Sequence, residues 1–105
     1  MSAAGPKICV TGMGAVSCLG IGVEKFWRCV LAGIPRFSQI ERFDLDGSSY
    51  STAGLVTDDR FGKRADVSLG ADFAAVAAEE ACAGLPVQAR KNLSVVLSSN
   101  FGPAE

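Results

Sequence analysis

Histidine is absent from this 105-residue sequence, and its few cysteines are far apart. The thiols share no C-x-x-C spacing, and they lie at Cys9, Cys18, Cys29 and Cys82. The sequence therefore lacks the ligand pattern of a zinc site, and we expect neither a metal nor another cofactor. In a reducing compartment the four cysteines are expected to be free thiols that pack as small apolar side chains.

The sequence also lacks a long apolar run and an excess of charge of one sign. No stretch reaches the roughly 18 apolar residues that a membrane-spanning helix needs, and the residues after Lys7 do not form the apolar part of a secretory signal peptide. Ten basic residues stand against eleven acidic ones, and the densest basic cluster is only Arg60, Lys63 and Arg64. We therefore expect no membrane span, no nucleic-acid partner and a cytoplasmic location.

The most informative segment is residues 7–20. A short apolar run at residues 8–10 is followed by Gly12 and Gly14, which indicates a buried strand and a sharp turn. The spacing Gly12-x-Gly14-x-x-Ser17 is close to the dinucleotide-binding fingerprint. However, Ser17 replaces the third glycine, and no acidic residue stands about 20 positions later, where that fingerprint needs one. A structural turn is therefore preferred to a nucleotide site.

A helix is predicted at residues 23–32, where apolar residues recur with helical spacing. Gly33 is suited to cap its carboxyl end, and Pro35 prevents the helix from continuing. Trp27 could stack on a ligand, but an aromatic side chain on the apolar face of a helix is more often part of a core. We therefore expect Trp27 to be buried.

Residues 34–64 carry no strong periodicity. The acidic segment 44–49 has turn composition, and it does not match a calcium-binding loop because Leu55 stands where the bidentate glutamate is required. Residues 50–56 are predicted to form a short strand, which Gly54 weakens.

A second helix is predicted from an Asp66 cap to about residue 83, with Gly84 closing it. Its small residues would let another element approach closely, whereas Glu79 and Glu80 are expected to face outward near its carboxyl end. Residues 85–92 are predicted to be a polar connection.

Residues 93–97 have the strongest strand pattern in the chain. With the strand at residues 7–11 they are predicted to form a parallel pair with a right-handed crossover, in an α/β fold whose sheet is covered by helices. A chain ending at Glu105 would leave one strand edge open. We therefore expect residues 1–105 to be an incomplete, N-terminal portion of a larger domain.

These residues resemble the start of the β-ketoacyl-[acyl-carrier-protein] synthases. The resemblance begins with Lys7-Ile-Cys-Val-Thr-Gly-Met-Gly-Ala-Val-Ser-Cys-Leu-Gly20. It continues through Phe26-Trp27, Leu31-Ala-Gly-Ile34, Phe43-Asp44, Ala53-Gly-Leu-Val56, Arg64-Ala-Asp66 and Ser98-Ser-Asn-Phe-Gly102. A Thr-Gly-x-Gly motif alone would be weak, but this ordered set covers nearly the whole chain.

The resemblance implies a partial thiolase-like fold and a condensing enzyme that works as a dimer with acyl carrier protein. In that family a cysteine thiolate accepts the acyl group and two histidines assist condensation with the malonyl group. None of these residues is present in the segment, so it is expected to be inactive alone.

The resemblance also suggests roles for three residues. Lys63 and Arg64 match a basic pair that helps to dock the acidic carrier protein, although solvated charges before a helix are an equally good interpretation. Phe101 falls where relatives have a smaller or aliphatic residue lining the acyl pocket. A phenyl ring there predicts a preference for short, small or unusual acyl groups.

An alternative from another class is a non-catalytic ketosynthase-like partner of the chain-length-factor type, which acts in a heterodimer. The two hypotheses differ in whether the downstream sequence supplies the cysteine and the two histidines. A separate nucleotide-binding module is a third hypothesis, which the incomplete fingerprint disfavours.

Overall fold

The protein is described by a computed structural model that covers residues 5–41, 44, 46–47, 49–61 and 68–100. The helices are α1 (Val23–Ala32), α2 (Leu69–Ala81) and α3 (Val87–Lys91). The strands, each of two residues, are β1 (Val16–Ser17), β2 (Gly20–Ile21), β3 (Ser38–Gln39) and β4 (Thr52–Ala53). A 3₁₀ turn covers Asp59–Phe61.

Helix α1 has the bounds that its sequence predicts. Gly33 caps it in the left-handed conformation, with φ 67° and ψ 32°. The Gly33 N–H donates to the carbonyl of Val30, and the Ile34 N–H donates to that of Cys29, both at 3.1 Å. This pair of bonds is the Schellman arrangement, which satisfies the last carbonyl groups of a helix. Local signals were therefore sufficient to fix this element.

The apolar face of α1 is exposed over most of its area. Cys29 is buried, but the side chain of Trp27 is 57% exposed. The prediction that Trp27 belongs to a core is therefore wrong for this structure, because no described element packs over that face. Helical periodicity specifies which face is apolar, whereas burial depends on a second surface being present.

Both strand pairs are antiparallel. Strand β1 pairs with β2 across a tight turn, and β3 pairs with β4, with Ser38 opposite Ala53. The second pair confirms part of the strand predicted at residues 50–56. A turn at Asp46 and Gly47 separates β3 from β4, and the Asp46 N–H donates to Oδ1 of Asp44 at 2.9 Å, which confirms the predicted turn chemistry.

The predicted parallel pair is not formed by the described residues. Residues 6–15 and 93–99 contain no strand, and apolar side chains in both segments are exposed, with Ile8 at 95% and Val96 at 91%. A strand needs a hydrogen-bonding neighbour as well as an apolar sequence. The pattern therefore marks segments suited to a sheet, but it does not supply the partner.

Helix α2 begins after Ser68, whose Oγ accepts a hydrogen bond from the Ala71 N–H at 3.4 Å. This start is later than predicted, and Asp66 lies outside the described residues. The helix ends at Ala81, and Gly84 does not adopt the positive φ of a glycine cap. Instead, Nη2 of Arg90 donates to the carbonyl of Cys82 at 2.7 Å, which satisfies a carbonyl group at the helix end.

Residues 87–91, predicted to lie in a polar connection, form α3 and carry that arginine. A short helix was missed here because it has few residues and no apolar stripe. Its contribution is local: it places Arg90 against the end of α2.

The apolar core of the described residues is small. Phe61 and Cys29 are its buried members. The ring of Phe61 packs edge-on against Phe73 of α2, with centroids 4.8 Å apart and an interplanar angle of 89°, a favoured aromatic geometry. Among the described residues, no helix combines the length and apolarity required to cross a membrane.

Residues 12–22, called here the glycine-rich segment, cross the backbone of α2 at very short range. A Cβ atom built on Gly12 would overlap the carbonyl oxygen of Ala81, and one built on Gly14 would overlap that of Ala77. Neither Gly12 nor Gly14 has positive φ, whereas Gly20 and Gly22 do, at 127° and 105°. The first two glycines are thus required for close approach and the later two for backbone conformation.

This contact predicts that Gly14→Ala destabilises the protein. The added methyl group must displace either the segment or α2, so we expect the free energy of unfolding to fall by about 2 kcal/mol. The measurement is urea denaturation followed by circular dichroism.

The matched control is Gly70→Ala. A Cβ at Gly70 in α2 would meet only Oγ of Ser68 at 3.7 Å, so the free energy of unfolding should rise by about 0.5–1 kcal/mol because alanine favours the helix. If the two substitutions changed the free energy of unfolding equally, the close contact between Gly14 and α2 would be contradicted.

Candidate functional site

Glu80 connects α2 to the glycine-rich segment and to α1. Its Oε1 accepts a hydrogen bond from the Ala15 N–H, and its Oε2 accepts one from the Val23 N–H, each at 3.0 Å. Ala15 follows Gly14 directly, and Val23 is the first residue of α1. One partly buried carboxylate therefore holds both ends of the segment that carries strands β1 and β2.

The position of Glu80 corrects the expectation that this side chain faces outward. Gly22 is the N-cap residue of α1 and has no side chain to accept a helix N–H. The carboxylate of Glu80, which lies in α2, accepts the N–H of Val23 in place of a capping side chain. Its negative charge is favourable at the amino end of α1. Glu79 is exposed, as predicted.

The geometry of Gly12 and Gly14 favours the structural interpretation of the near-fingerprint. In a dinucleotide site the glycines leave room for a pyrophosphate at a helix amino end. Here Gly12 and Gly14 face the backbone carbonyl oxygens of α2, and Glu80 takes the first N–H of α1. A carboxylate at that position would repel a phosphate group.

A polar cleft of about 260 Å³, called here the basic cleft, lies beside the β1–β2 turn. Its charged lining residues are Lys25, Arg36 and Asp58, and Ser17, Ser38 and Thr57 add hydroxyl groups. Asp58 is engaged by Arg60, whose backbone N–H donates to Oδ1 at 2.9 Å and whose Nε lies 3.8 Å from it. The cleft thus carries an excess of positive charge.

A second cleft of about 680 Å³ lies between the β3–β4 pair and the start of α2. Leu55, Val56, Phe61, Leu69 and Phe73 form its apolar part. Acidic residues Glu41, Asp58 and Asp59 line it as well. Ser38 and Thr57 add hydroxyl groups, and the described lining contains no histidine, cysteine, lysine or arginine.

The candidate functional residues that were named from the sequence lie outside the residues that the structure describes. Lys63 and Arg64 fall within residues 62–67, and Phe101 falls within residues 101–105. Their predicted roles in carrier-protein docking and in the acyl pocket therefore stay predictions. The described neighbours of Phe101, residues 98–100, are exposed.

The cysteines occupy different environments. Cys29 is buried and Cys18 and Cys82 are half-buried, but Cys9 is exposed, and all four are free thiols. The expectation of buried packing is thus wrong for Cys9, because its segment has no covering strand in this structure. The described part of the chain brings no three histidine, cysteine or carboxylate side chains together as a metal site would need.

Sequence reasoning missed both Glu80 and the basic cleft. Glu80 bonds to residues 57 and 65 positions away, and Lys25 and Arg36 lie on separate elements. One signal for Glu80 was present in the sequence: Gly22, which precedes a strong helix pattern, has no side chain that could cap the helix. The first N–H groups of α1 therefore need an acceptor from elsewhere in the chain.

The chain matches a family described as "Beta-ketoacyl synthase, N-terminal domain" over residues 6–90. It is 44% identical over 50 residues to 3-oxoacyl-[acyl-carrier-protein] synthase 2 of Vibrio cholerae serotype O1. It is 42% identical over 52 residues to the protein of the same name from Vibrio harveyi. These alignments cover 48% and 50% of this chain.

The chain spans only about 12% of the length of each of these relatives. No solved structure matches it significantly. The family match covers more than half of the chain and implies an α/β fold of the thiolase-like class. The chain therefore belongs to the β-ketoacyl synthase family, and its residues 6–90 match the N-terminal domain of that family.

Proposed function

We propose that this chain is the N-terminal portion of a β-ketoacyl-[acyl-carrier-protein] synthase, which condenses an acyl thioester with malonyl-acyl carrier protein in fatty-acid or polyketide biosynthesis. The observation that carries the proposal is the family match over residues 6–90. The names of the two Vibrio relatives support the same reaction. The proposed partners are acyl carrier protein and a second ketosynthase subunit.

The proposed chemistry begins when a cysteine thiolate attacks the acyl thioester and releases the carrier thiol. The malonyl group then loses carbon dioxide, and its carbon attacks the enzyme-bound acyl group, releasing the thiolate and leaving a 3-oxoacyl thioester. The sequence has no histidine, so residues outside this portion would supply the catalytic groups. This portion would supply scaffold and surface.

Exposed apolar side chains support assignment of the chain to a larger domain. Ile8, Val10 and Val96 are 95%, 82% and 91% exposed, and Trp27 and Leu31 of α1 are 57% and 69% exposed. Side chains of this kind normally lie against other protein surface. A complete α/β domain would provide further strands beside residues 7–11 and 93–97, and a covering layer over α1.

The test is a condensation assay on the polypeptide expressed from the complete gene. The polypeptide is incubated with carrier protein that bears an acyl group and with carrier protein that bears a malonyl group. The products are measured by mass spectrometry. We expect one 3-oxoacyl-carrier protein and one carbon dioxide for each acyl group consumed.

Decarboxylation of the malonyl group without formation of a 3-oxoacyl product would contradict this proposal. That outcome would favour the non-catalytic partner of the chain-length-factor type. A reaction without the polypeptide is the control for spontaneous decarboxylation.

Carrier-protein docking by Lys63 and Arg64 is part of the same proposal. Carrier proteins are acidic, and a basic pair attracts them by long-range electrostatics that salt screens. Reversing both charges, with Lys63→Glu and Arg64→Glu, should weaken binding of the carrier protein by about tenfold at low salt. Surface plasmon resonance on the complete polypeptide measures the change.

The matched control for docking reverses two exposed charges elsewhere, with Lys7→Glu and Lys91→Glu. This double variant changes the net charge by the same amount. If the carrier protein docks at Lys63 and Arg64, its affinity for this variant should stay within about twofold of its affinity for the parent. Equal losses in the two double variants would show a general charge effect and contradict docking at Lys63 and Arg64.

We also propose that Phe101 limits the length of the acyl group. A phenyl ring in place of a smaller or aliphatic side chain would fill part of an acyl pocket. Phe101→Ile should therefore raise the kcat/KM ratio of long over short acyl groups by about tenfold, the lower end of the effect of one methylene group in an apolar pocket. Competition between acyl-carrier proteins of two chain lengths measures that ratio.

Phe101→Tyr is the control for chain-length selection because it keeps the ring. It should retain the preference of the parent for short acyl groups. If Phe101→Ile leaves the ratio unchanged, the assignment of Phe101 to the pocket is wrong.

A further inference from the structure

We propose that the basic cleft binds a dianionic phosphate group, either as free phosphate or as the terminal group of a phosphate monoester. This inference does not depend on the proposed enzymatic activity. It rests on three observations: two cations that line the same cleft, an acid that is already engaged by Arg60, and a set of hydroxyl groups.

The two cations reach the cleft from different elements. Lys25 is in the first turn of α1, and Arg36 lies in the segment that leads from α1 to β3. Neither side chain forms a hydrogen bond or an ion pair with another described residue. By contrast, Arg28 on the same helix pairs with Glu24 at 3.1 Å. No described residue therefore competes with a ligand for the charges of Lys25 and Arg36.

Gly20 helps to place the lysine. A Cβ built on Gly20 would lie 2.8 Å from Cδ of Lys25 and 2.9 Å from its Nζ. The stem and the ammonium group of Lys25 therefore lie against the Gly20 backbone at the cleft wall. A lysine stem that packs on backbone keeps its charged group at the surface near the cleft.

The acid in the cleft does not cancel this charge. Oδ1 of Asp58 already accepts the Arg60 backbone N–H and lies near its guanidinium group. With Asp58 engaged by Arg60, the charges of Lys25 and Arg36 are left in excess. A cleft with positive excess attracts anions and raises their local concentration.

The remaining lining fits a phosphate better than a carboxylate. An arginine offers a planar fork of donors and a lysine offers a point charge, and both groups bind phosphate oxygens. Ser17, Ser38 and Thr57 come from three chain segments and supply further hydroxyl donors. A tetrahedral anion has enough oxygens to use donors on several sides, and a cleft of about 260 Å³ holds it with part of an ester group.

The test is a phosphorus NMR titration of inorganic phosphate with the polypeptide expressed from the complete gene. The buffer is free of phosphate and mildly alkaline, so that the ligand is a dianion, and sodium chloride keeps ionic strength constant. We expect saturable broadening of the phosphate line, with a Kd on the order of millimolar because both cations are exposed.

The variants separate a site from general surface charge. Lys25→Gln and Arg36→Gln should each raise Kd by about tenfold, the effect of one lost charge-assisted hydrogen bond. Arg28→Gln removes the same charge outside the cleft and should leave Kd within about twofold of the parent. Arg36→Lys keeps the charge without the fork and should give an intermediate Kd.

Glycerol phosphate distinguishes the two sources of the ligand. If it displaces inorganic phosphate with equal or higher affinity, the site accepts a phosphate monoester; if it fails to compete while phosphate binds, the site holds free phosphate. Absence of saturable binding in the parent, or equal weakening by Arg28→Gln and Arg36→Gln, would overturn the inference. Condensation activity has no bearing on either result.

Discussion

The described fold depends on one carboxylate that joins segments far apart in the sequence. Glu80 accepts the backbone N–H groups of Ala15 and Val23, each at 3.0 Å. These bonds hold the glycine-rich segment against α2 and cap the amino end of α1. Hydrogen bonds to a charged acceptor are stronger than those between neutral groups, which matters in a structure whose described apolar core is small.

The glycines make that arrangement sterically possible. Carbonyl oxygens of α2 occupy the space that side chains at positions 12 and 14 would need. Ala77 and Ala81, whose carbonyl groups are approached, have small side chains, so the crossing chain meets helix backbone almost directly. Small residues on both elements and one bridging carboxylate therefore form a single packing unit.

The sequence was informative where structure is decided locally. Helix α1, its Gly33 cap and the turn at Asp46 and Gly47 follow from residues within one or two turns of each other. Strands were predicted less well, because residues 93–97 have a strand composition but no described partner. Glu80 was misjudged for a similar reason: the groups that it binds are near in space and distant in sequence.

The family could be predicted from the sequence, but the basic cleft could not. The motif from Lys7 to Gly20, followed by the later matches, identified a relationship that the family comparison confirms over residues 6–90. Composition and spacing could not bring Lys25 and Arg36 together, since no periodic pattern links a helix start to a loop. The basic cleft became visible only through the packing of that loop beside the β1–β2 turn.

The most direct test of the role of Glu80 is backbone amide hydrogen exchange in the Glu80→Gln variant, compared with Glu79→Gln. A neutral amide in place of the carboxylate cannot accept both N–H groups equally well. We expect exchange at Ala15 and Val23 to accelerate by about tenfold or more in Glu80→Gln, as for the loss of one charged hydrogen bond. Glu79→Gln should leave both rates unchanged. Unchanged rates at Ala15 and Val23 in Glu80→Gln would contradict the account.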